Sequence, residues 1–409
     1  MKFLYLPALA DGTTRWIPGG KASRQFLGKT TSRNPLQDLS FVNWMDDEVK
    51  GTDAYYPHTL ITYYYFRDKA IALPKDAYVF GDSGGFSAMR YGMSNSVPFY
   101  EVGGVSCSLL KGFAGAPHQQ KLDPVDVLKW QEALCTVGVV LDIPPVDMEG
   151  KRIWEFALET TLANTKRALP AYLRLRKGDT AFRWWGAVHG WTAKHMERWW
   201  SDMARIYPFE DEGEGWAFKA RDPSSNAKAV AYCLHFIKQH NMKRAHFLAA
   251  VAPQAAATLM VLGPQTSLEF LTSDAQTADI AARNRHVIQT VQDGLATKPL
   301  EERGDNNVGR MFLRQCDCYS CTQILEDEEK YPDLVSGKYS EYWTHRFVFH
   351  NHIMLFRLIA RLQHEADTNP DALLHEVLGT DYGPVLRAFD GHPQQDHPEG
   401  MERSLLDFI

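Results

Sequence analysis

Eight short runs of apolar, β-branched and aromatic residues, alternating with helix-length patterns, constrain this chain more than any other feature. The runs are Lys2–Leu6, Thr59–Phe66, Ala77–Gly81, Val137–Asp142, Arg183–Gly190, Gly215–Ala220, Ala245–Val251 and Ser267–Asp274. Between the later ones, apolar periodicity predicts helices over 123–134, 153–177, 192–206, 224–240, 253–262 and 275–294. Asp123-Pro124 is a helix start, a capping carboxylate followed by proline in the first turn. Such alternation predicts an α/β fold, either a (β/α)8 TIM barrel or an open doubly wound sheet. Polar residues favour the barrel. Asp82, Asp142, His189, Lys219 and Asp274 all fall at or just past the C-terminal ends of their runs, the end at which a barrel gathers its chemistry.

Past residue 300 the character changes. A polar stretch, "KPLEERGDNN", predicts a loop, and "CDCYSC" then places three of the chain's six cysteines within Cys316–Cys321. An acidic stretch, "EDEEKYPD", follows, and 341–366 reads as one long amphipathic helix, with loop and tail after it. The expected division is a catalytic barrel over 1–300 and a zinc-binding, helical C-terminal region over 301–409. Cys316, Cys318 and Cys321 are too close in sequence to pair readily with one another as disulfides. A redox C-x-x-C belongs at a helix start beside a βαβ unit, which is a poorer fit. Three thiolates and one histidine make a closed tetrahedral zinc site, and the following helix offers His345, His350 and His352. "HNH" at 350–352 lies within an apolar helix and is no sign of a nuclease.

Composition sets the outer limits. Hydrophobic residues at 44% and charged residues at 23% are ordinary for a globular protein. A formal charge of −6 excludes nucleic-acid binding by bulk positive charge, though not a local basic face. "MKFLYLPALADG" is too short in its apolar part for a cleaved signal, and no run reaches the ~20 apolar residues of a membrane span. Scattered Cys107, Cys135 and Cys233 fit a reducing compartment, so a cytoplasmic protein is expected.

Several of these segments resemble the tRNA-guanine transglycosylase superfamily. "CDCYSC" followed by a helix carrying His350-Asn351 is similar to that family's zinc site, and the match implies Cys316, Cys318, Cys321 and His350 as ligands, with His345 and His352 as alternatives. "VFGDSGGFS" (79–87) resembles the family's D-S-G-G-F-Q signature. "LDPVDVLKWQEALCTVGVVLDIPP" (122–145) resembles the L-D-P helix and the strand whose aspartate reads guanine, here Asp142. Ile143, Pro144 and Pro145 stand where the tRNA enzymes have E-C-T-P. "WGAVHG" (185–190) resembles G-x-x-Q-G, with His189 in place of the glutamine and Gly190 kept. In "LEFLTSDAQTADIAARNR" the nine-residue step to Arg283-Asn284 selects Asp274 as the family's nucleophile over Glu269 and Asp279, and Asp279 is expected on a solvated helix face.

The resemblance implies a retaining exchange of bases at C1′. Asp274 attacks, Asp82 is the general acid/base, and Asp142 accepts from the guanine edge. Ser83, Gly84, His189 and Gly190 complete the base pocket, with Phe86 and Tyr91 as stacking candidates. The departures around the pocket resemble the branch, found in phages and bacterial DNA-modification clusters, that replaces guanine in DNA with a 7-deazaguanine such as the 7-cyano form. DNA and the free 7-deazaguanine base are thus the expected partners, with tRNA the alternative. No RNA-binding C-terminal module of the archaeal kind is recognised. A homo-oligomer stays open, and no membrane partner is expected. The flipped guanine needs a phosphate-holding groove, for which "RWWGAVHG", "KHMERWW" and "FKARDPSSNAK" offer aromatics and bases, unless the tryptophans are core. Two further readings are a catalytically inactive zinc-stabilised nucleic-acid binding protein and a hydrolase using Asp82 and Asp274 with water.

Overall fold

The computed structural model of the chain describes residues 1–9, 44–68, 71, 73–85, 101–102, 105–106, 122–145, 147–148, 151–152, 154–190, 192–219, 227–275, 277–283, 286–291, 294–299, 315–330 and 340–391. Eight parallel strands form the centre: β1 (Lys2–Pro7), β2 (Thr59–Thr62), β3 (Val79–Asp82), β4 (Val137–Val139), β5 (Arg183–Val188), β6 (Trp216–Phe218), β7 (Arg244–Phe247) and β8 (Phe270–Ala275). Their spatial order is β1-β8-β7-β6-β5-β4-β3-β2, and a parallel bridge from Ala8 to Leu60 brings the two edges together. The Leu9 N–H donates to the Leu60 carbonyl at 3.0 Å, and Thr59 Oγ1 donates to the Pro7 carbonyl at 2.9 Å. The sheet is therefore a nearly closed barrel, not an open one.

The covering helices are α1 (Pro124–Leu134), α2 (Trp154–Lys177), α3 (Ala193–Ile206), α4 (Ala227–Gln239), α5 (Pro253–Leu262) and the short α6 (Thr277–Arg283). Asp123 caps α1 by accepting from the Val125 N–H at 2.8 Å. Two elements of the barrel region differ from expectation. The Thr59–Phe66 run is strand only to Thr62 and then makes one helical turn, Tyr63–Phe66. The helix expected over 275–294 ends at Arg283, and an antiparallel hairpin follows, β9 (His286–Val291) with β10 (Gly294–Pro299).

The barrel interior is filled below its C-terminal mouth by aromatic rings. Phe80 meets Trp185 edge-on at 5.7 Å and stacks on His246 at 4.1 Å. The C-terminal region comprises α7 (Tyr319–Lys330), the long α8 (Ser340–Thr368), α9 (Pro370–Leu378) and α10 (Tyr382–Phe389). The last two replace the loop expected there. α8 packs on α6, β9 and α5, while α9 packs on α5 and α10 on α4. One continuous hydrophobic core joins this region to the barrel. Phe356 of α8 stacks on Tyr56 at 4.7 Å, and Arg357 bonds Asp53 (2.6 Å from Nε) and Asp317 (2.7 Å from Nη1), tying the segment before β2 to the cysteine cluster. Among the described residues no helix is long and apolar enough to cross a membrane.

Candidate active site and metal centre

The sequence around Asp82 builds a tight corner. Gly84 adopts φ +80°, the left-handed region that a side chain disfavours, and its N–H donates to Asp82 Oδ2 at 3.2 Å. A Cβ on Gly85 would lie 1.9 Å from the Asp142 carbonyl oxygen, so the backbone of β3's exit presses directly on that of β4's exit. Only a glycine pair allows this approach. Ser83 Oγ then donates to Asp142 Oδ1 at 3.0 Å. Gln131 of α1 locks the same two strands, its amide donating to the Gly81 carbonyl at 2.8 Å and the Val139 carbonyl at 2.9 Å. From α2, Asn164 donates to the Leu141 carbonyl and Thr161 Oγ1 accepts from the Ile143 N–H, which fixes Asp142 from behind.

His189, at the exit of β5, is buried and places Nε2 2.7 Å from Asp142 Oδ2. The expected base-reading histidine is thus also a clamp on Asp142. A carboxylate offers about four lone-pair positions, so Asp142 can still accept from a ligand edge beside Ser83 and His189. Asp274, at the end of β8, is buried, and its Oδ1 accepts from the Ala249 N–H at 2.8 Å. Gly190 packs against α3, where a Cβ would meet Met196 at 2.6 Å.

The three carboxylates and Lys219 converge on one space. Asp82 is pushed up from 3.8 to about 7, first by burial and then by the negative charges of Asp142 and Asp274; bonds from Thr62 and the Gly84 N–H hold it down only partly. A carboxyl poised near neutrality can both give and take a proton. Burial lowers the Lys219 ammonium, against the pull of Asp142, Asp274 and Asp82. Lys219 shares the inward row of β6 with Ala217, which pairs with Ala187 and His246. Strand-end position signalled this lysine in the sequence, although no site role was expected of it.

Phe86, Tyr91 and Asn284 lie outside the described residues, as does the side chain of Arg283. Asp279 is a correction: α8 covers α6, so this carboxylate is buried and not solvated. The tryptophans offered as groove aromatics are also corrected. Trp184, Trp185 and Trp199 are fully buried, and Trp200 packs on His240. Of "FKARDPSSNAK", residues 220–226 lie outside the described ones.

The cysteine cluster is assembled as a potential metal centre. Cys316, Cys318 and Cys321 Sγ and His350 Nδ1 lie within 4.8 Å of one another. His350 Nδ1 is 3.8, 3.3 and 3.2 Å from the three sulfurs in that order. Its other nitrogen, Nε2, is 3.0 Å from the Ile288 carbonyl, which presents Nδ1 bare to a metal. Asn351 anchors the arrangement, accepting from the Ile288 N–H at 2.7 Å and donating to the Ala278 and His286 carbonyls at 3.1 Å. Among the proposed reserve ligands, His352 points elsewhere, its ring 4.2 Å from that of Trp44, and the side chain of His345 lies outside the described residues. The β9–β10 hairpin, unseen in the sequence, is what supplies the Ile288 carbonyl. No family model matches the chain, and no curated protein matches it.

Proposed function

We propose that this protein is a guanine transglycosylase that exchanges guanine in DNA for a 7-deazaguanine base. The observation that carries the reading is the convergence of Asp82, Asp142 and Asp274 at the barrel mouth, with Asp82 poised at about 7. An Asp274 carboxylate oxygen attacks C1′ as the bond from C1′ to the base nitrogen breaks. Protonated Asp82 delivers its proton to the departing guanine. The incoming base then loses its ring proton to Asp82 and attacks C1′, releasing Asp274. Two displacements return the original configuration. Asp142, held by Ser83 and His189, accepts from the N1–H and exocyclic amine of the base.

The Cys3His cluster holds zinc in this reading. Its donor set is that of closed structural sites, which supply a crosslink and no chemistry; here the link joins the start of α7 to α8. DNA is preferred over tRNA because the pocket departs from the tRNA enzymes at Ile143–Pro145 and at His189.

Radiolabelled guanine and 7-deazaguanine bases, incubated with the protein and either duplex DNA or tRNA, test the proposal. Label entering DNA and lost in Asp274→Ala is the expected outcome. Label in tRNA alone makes this a divergent tRNA enzyme, while abasic sites without label make it a hydrolase. Neither label nor base loss leaves a zinc-stabilised nucleic-acid binding protein.

A further inference from the structure

His246 lies on β7, one pleat below the barrel mouth, and is fully buried. Its ring is fixed on one face by Phe80, stacked at 4.1 Å. Nδ1 sits 2.8 Å from Thr272 Oγ1. Nε2 has no hydrogen-bond partner and lies 3.3 Å from Asp274 Oδ1. An orphaned buried ring nitrogen is costly, and this one lies beside a carboxylate of the proposed reaction.

The other support of Asp274 is strained. Ala249, whose N–H donates to the same Oδ1, has φ +58°, an uncommon conformation for a residue with a side chain. Ser273 Oγ holds that loop in place by donating to the Phe247 and Ala250 carbonyls. Two groups of one element, the backbone at the exit of β7 and the ring on its inward face, thus address one oxygen of Asp274. A strained backbone beside an orphaned buried donor marks a site built for more than packing.

We infer that His246 is a positioning residue for Asp274: as the neutral Nε2–H tautomer, set by the Thr272 hydroxyl donating to Nδ1, it donates to Oδ1 and leaves Oδ2 as the attacking oxygen. This rests on the proposed role of Asp274. Catalytic hydrogen bonds align in the substrate complex, and at 3.3 Å the two atoms are already within reach, so a small rotation of ring or carboxylate makes the bond. A donor on Oδ1 steadies the carboxylate as a leaving group when the ester is displaced. It also prevents the carboxylate from rotating, so one oxygen meets C1′.

The test is nuclear magnetic resonance of the full chain at fixed pH, with 15N-labelled histidine and 13Cγ-labelled aspartate, assigned with His246→Phe and Asp274→Asn. The wild type should show His246 as the Nε2–H tautomer. The groups facing Asp274 are Asp82 from β3, Lys219 after β6 and Tyr5 from β1, and all remain in each variant. His246→Phe, which keeps the stack on Phe80, should move the Asp274 13Cγ resonance at fixed pH, as expected when a donor to Oδ1 is lost. His246→Gln, which restores a donor, should leave it near the wild-type value. Should His246→Phe not fold, Thr272→Val tests the same chain of contacts by releasing the tautomer. An Nδ1–H tautomer in the wild type, or an Asp274 resonance at the same position in the wild type and His246→Phe, would overturn the inference. The resonance measurement uses no nucleic acid, so its failure is told apart from failure of the exchange assay.

Discussion

The barrel mouth and the cysteine cluster are both polar sites set in apolar surroundings, yet they are built on opposite terms. At the cluster, each donor has a settled partner: His350 Nε2 faces the Ile288 carbonyl, and Asn351 makes three bonds to the backbone around it. At the mouth, groups are left in tension. Asp82 carries a raised affinity for a proton, Ala249 holds a left-handed backbone, and His246 Nε2 lacks a partner. Satisfied polar groups hold a structure together, whereas unsatisfied ones await a ligand or a reaction. The contrast assigns the two sites different work, and it can be broken by substitutions that should act on one and spare the other.

The largest effect expected is at Asp274. Asp274→Ala should abolish base exchange in the labelling assay while its circular dichroism and melting temperature stay close to wild type. Loss of folding instead would place Asp274 with the structural groups.

The cluster should behave in the reverse way. Cys318→Ser, or removal of metal by a chelator, should cost on the order of 5 kcal/mol of stability, read from denaturant unfolding. Exchange activity at low temperature should fall only in proportion to the protein unfolded. A selective loss of activity with stability unchanged would make the cluster catalytic.

Asp82 sharpens the contrast because function and stability should move apart. Its folded-state value, about 7, lies above the unfolded 3.8, so the folded protein holds an extra proton between these values. Stability therefore declines as pH rises through that window. Asp82→Asn removes the decline and should raise stability above pH 7 by as much as about 4 kcal/mol. The same variant should slow exchange by about 10²- to 10⁴-fold, and the wild-type rate should fall above pH ~7 as Asp82 loses its proton. A variant less stable than wild type at pH 8 would contradict the burial of a strained carboxyl.

Ala249→Gly should have the smallest effect. Relieving the left-handed backbone should stabilise the fold by up to about 1 kcal/mol, as thermal melting would report. A loss of stability there would mean that the methyl group is packed, not strained.

Much of the barrel was legible because its strands alternate or run apolar and five of the eight stop at a polar residue. Asp82, Asp142, His189, Lys219 and Asp274 could be picked out for that reason, since a barrel strand's last inward residue faces the mouth, while the roles expected of four of them came from the resemblance. The D-S-G-G run was legible too, and the Gly85–Asp142 approach supplies its physical reason. What escaped were features decided by tertiary contact. The β9–β10 hairpin hides in a stretch with helical periodicity, and its pairing is fixed by α8 through Asn351. Asp279 looked exposed because periodicity within α6 cannot register the helix that later covers it. His246 sits in the middle of an apolar run, where nothing in one dimension separates a packed ring from one that supports Asp274. The C-terminal helices α9 and α10 lie in a stretch read as loop, and their ordering comes from docking on α5 and α4.

The central claim is a covalent bond between DNA and Asp274. The most direct measurement is to quench the protein with duplex DNA in the absence of incoming base, digest both polymers, and locate the adduct by mass spectrometry. The expected result is a deoxyribosyl ester on the peptide containing Asp274, absent in Asp274→Ala and discharged by added 7-deazaguanine. Base loss with no adduct, or an adduct on a residue other than Asp274, would contradict it.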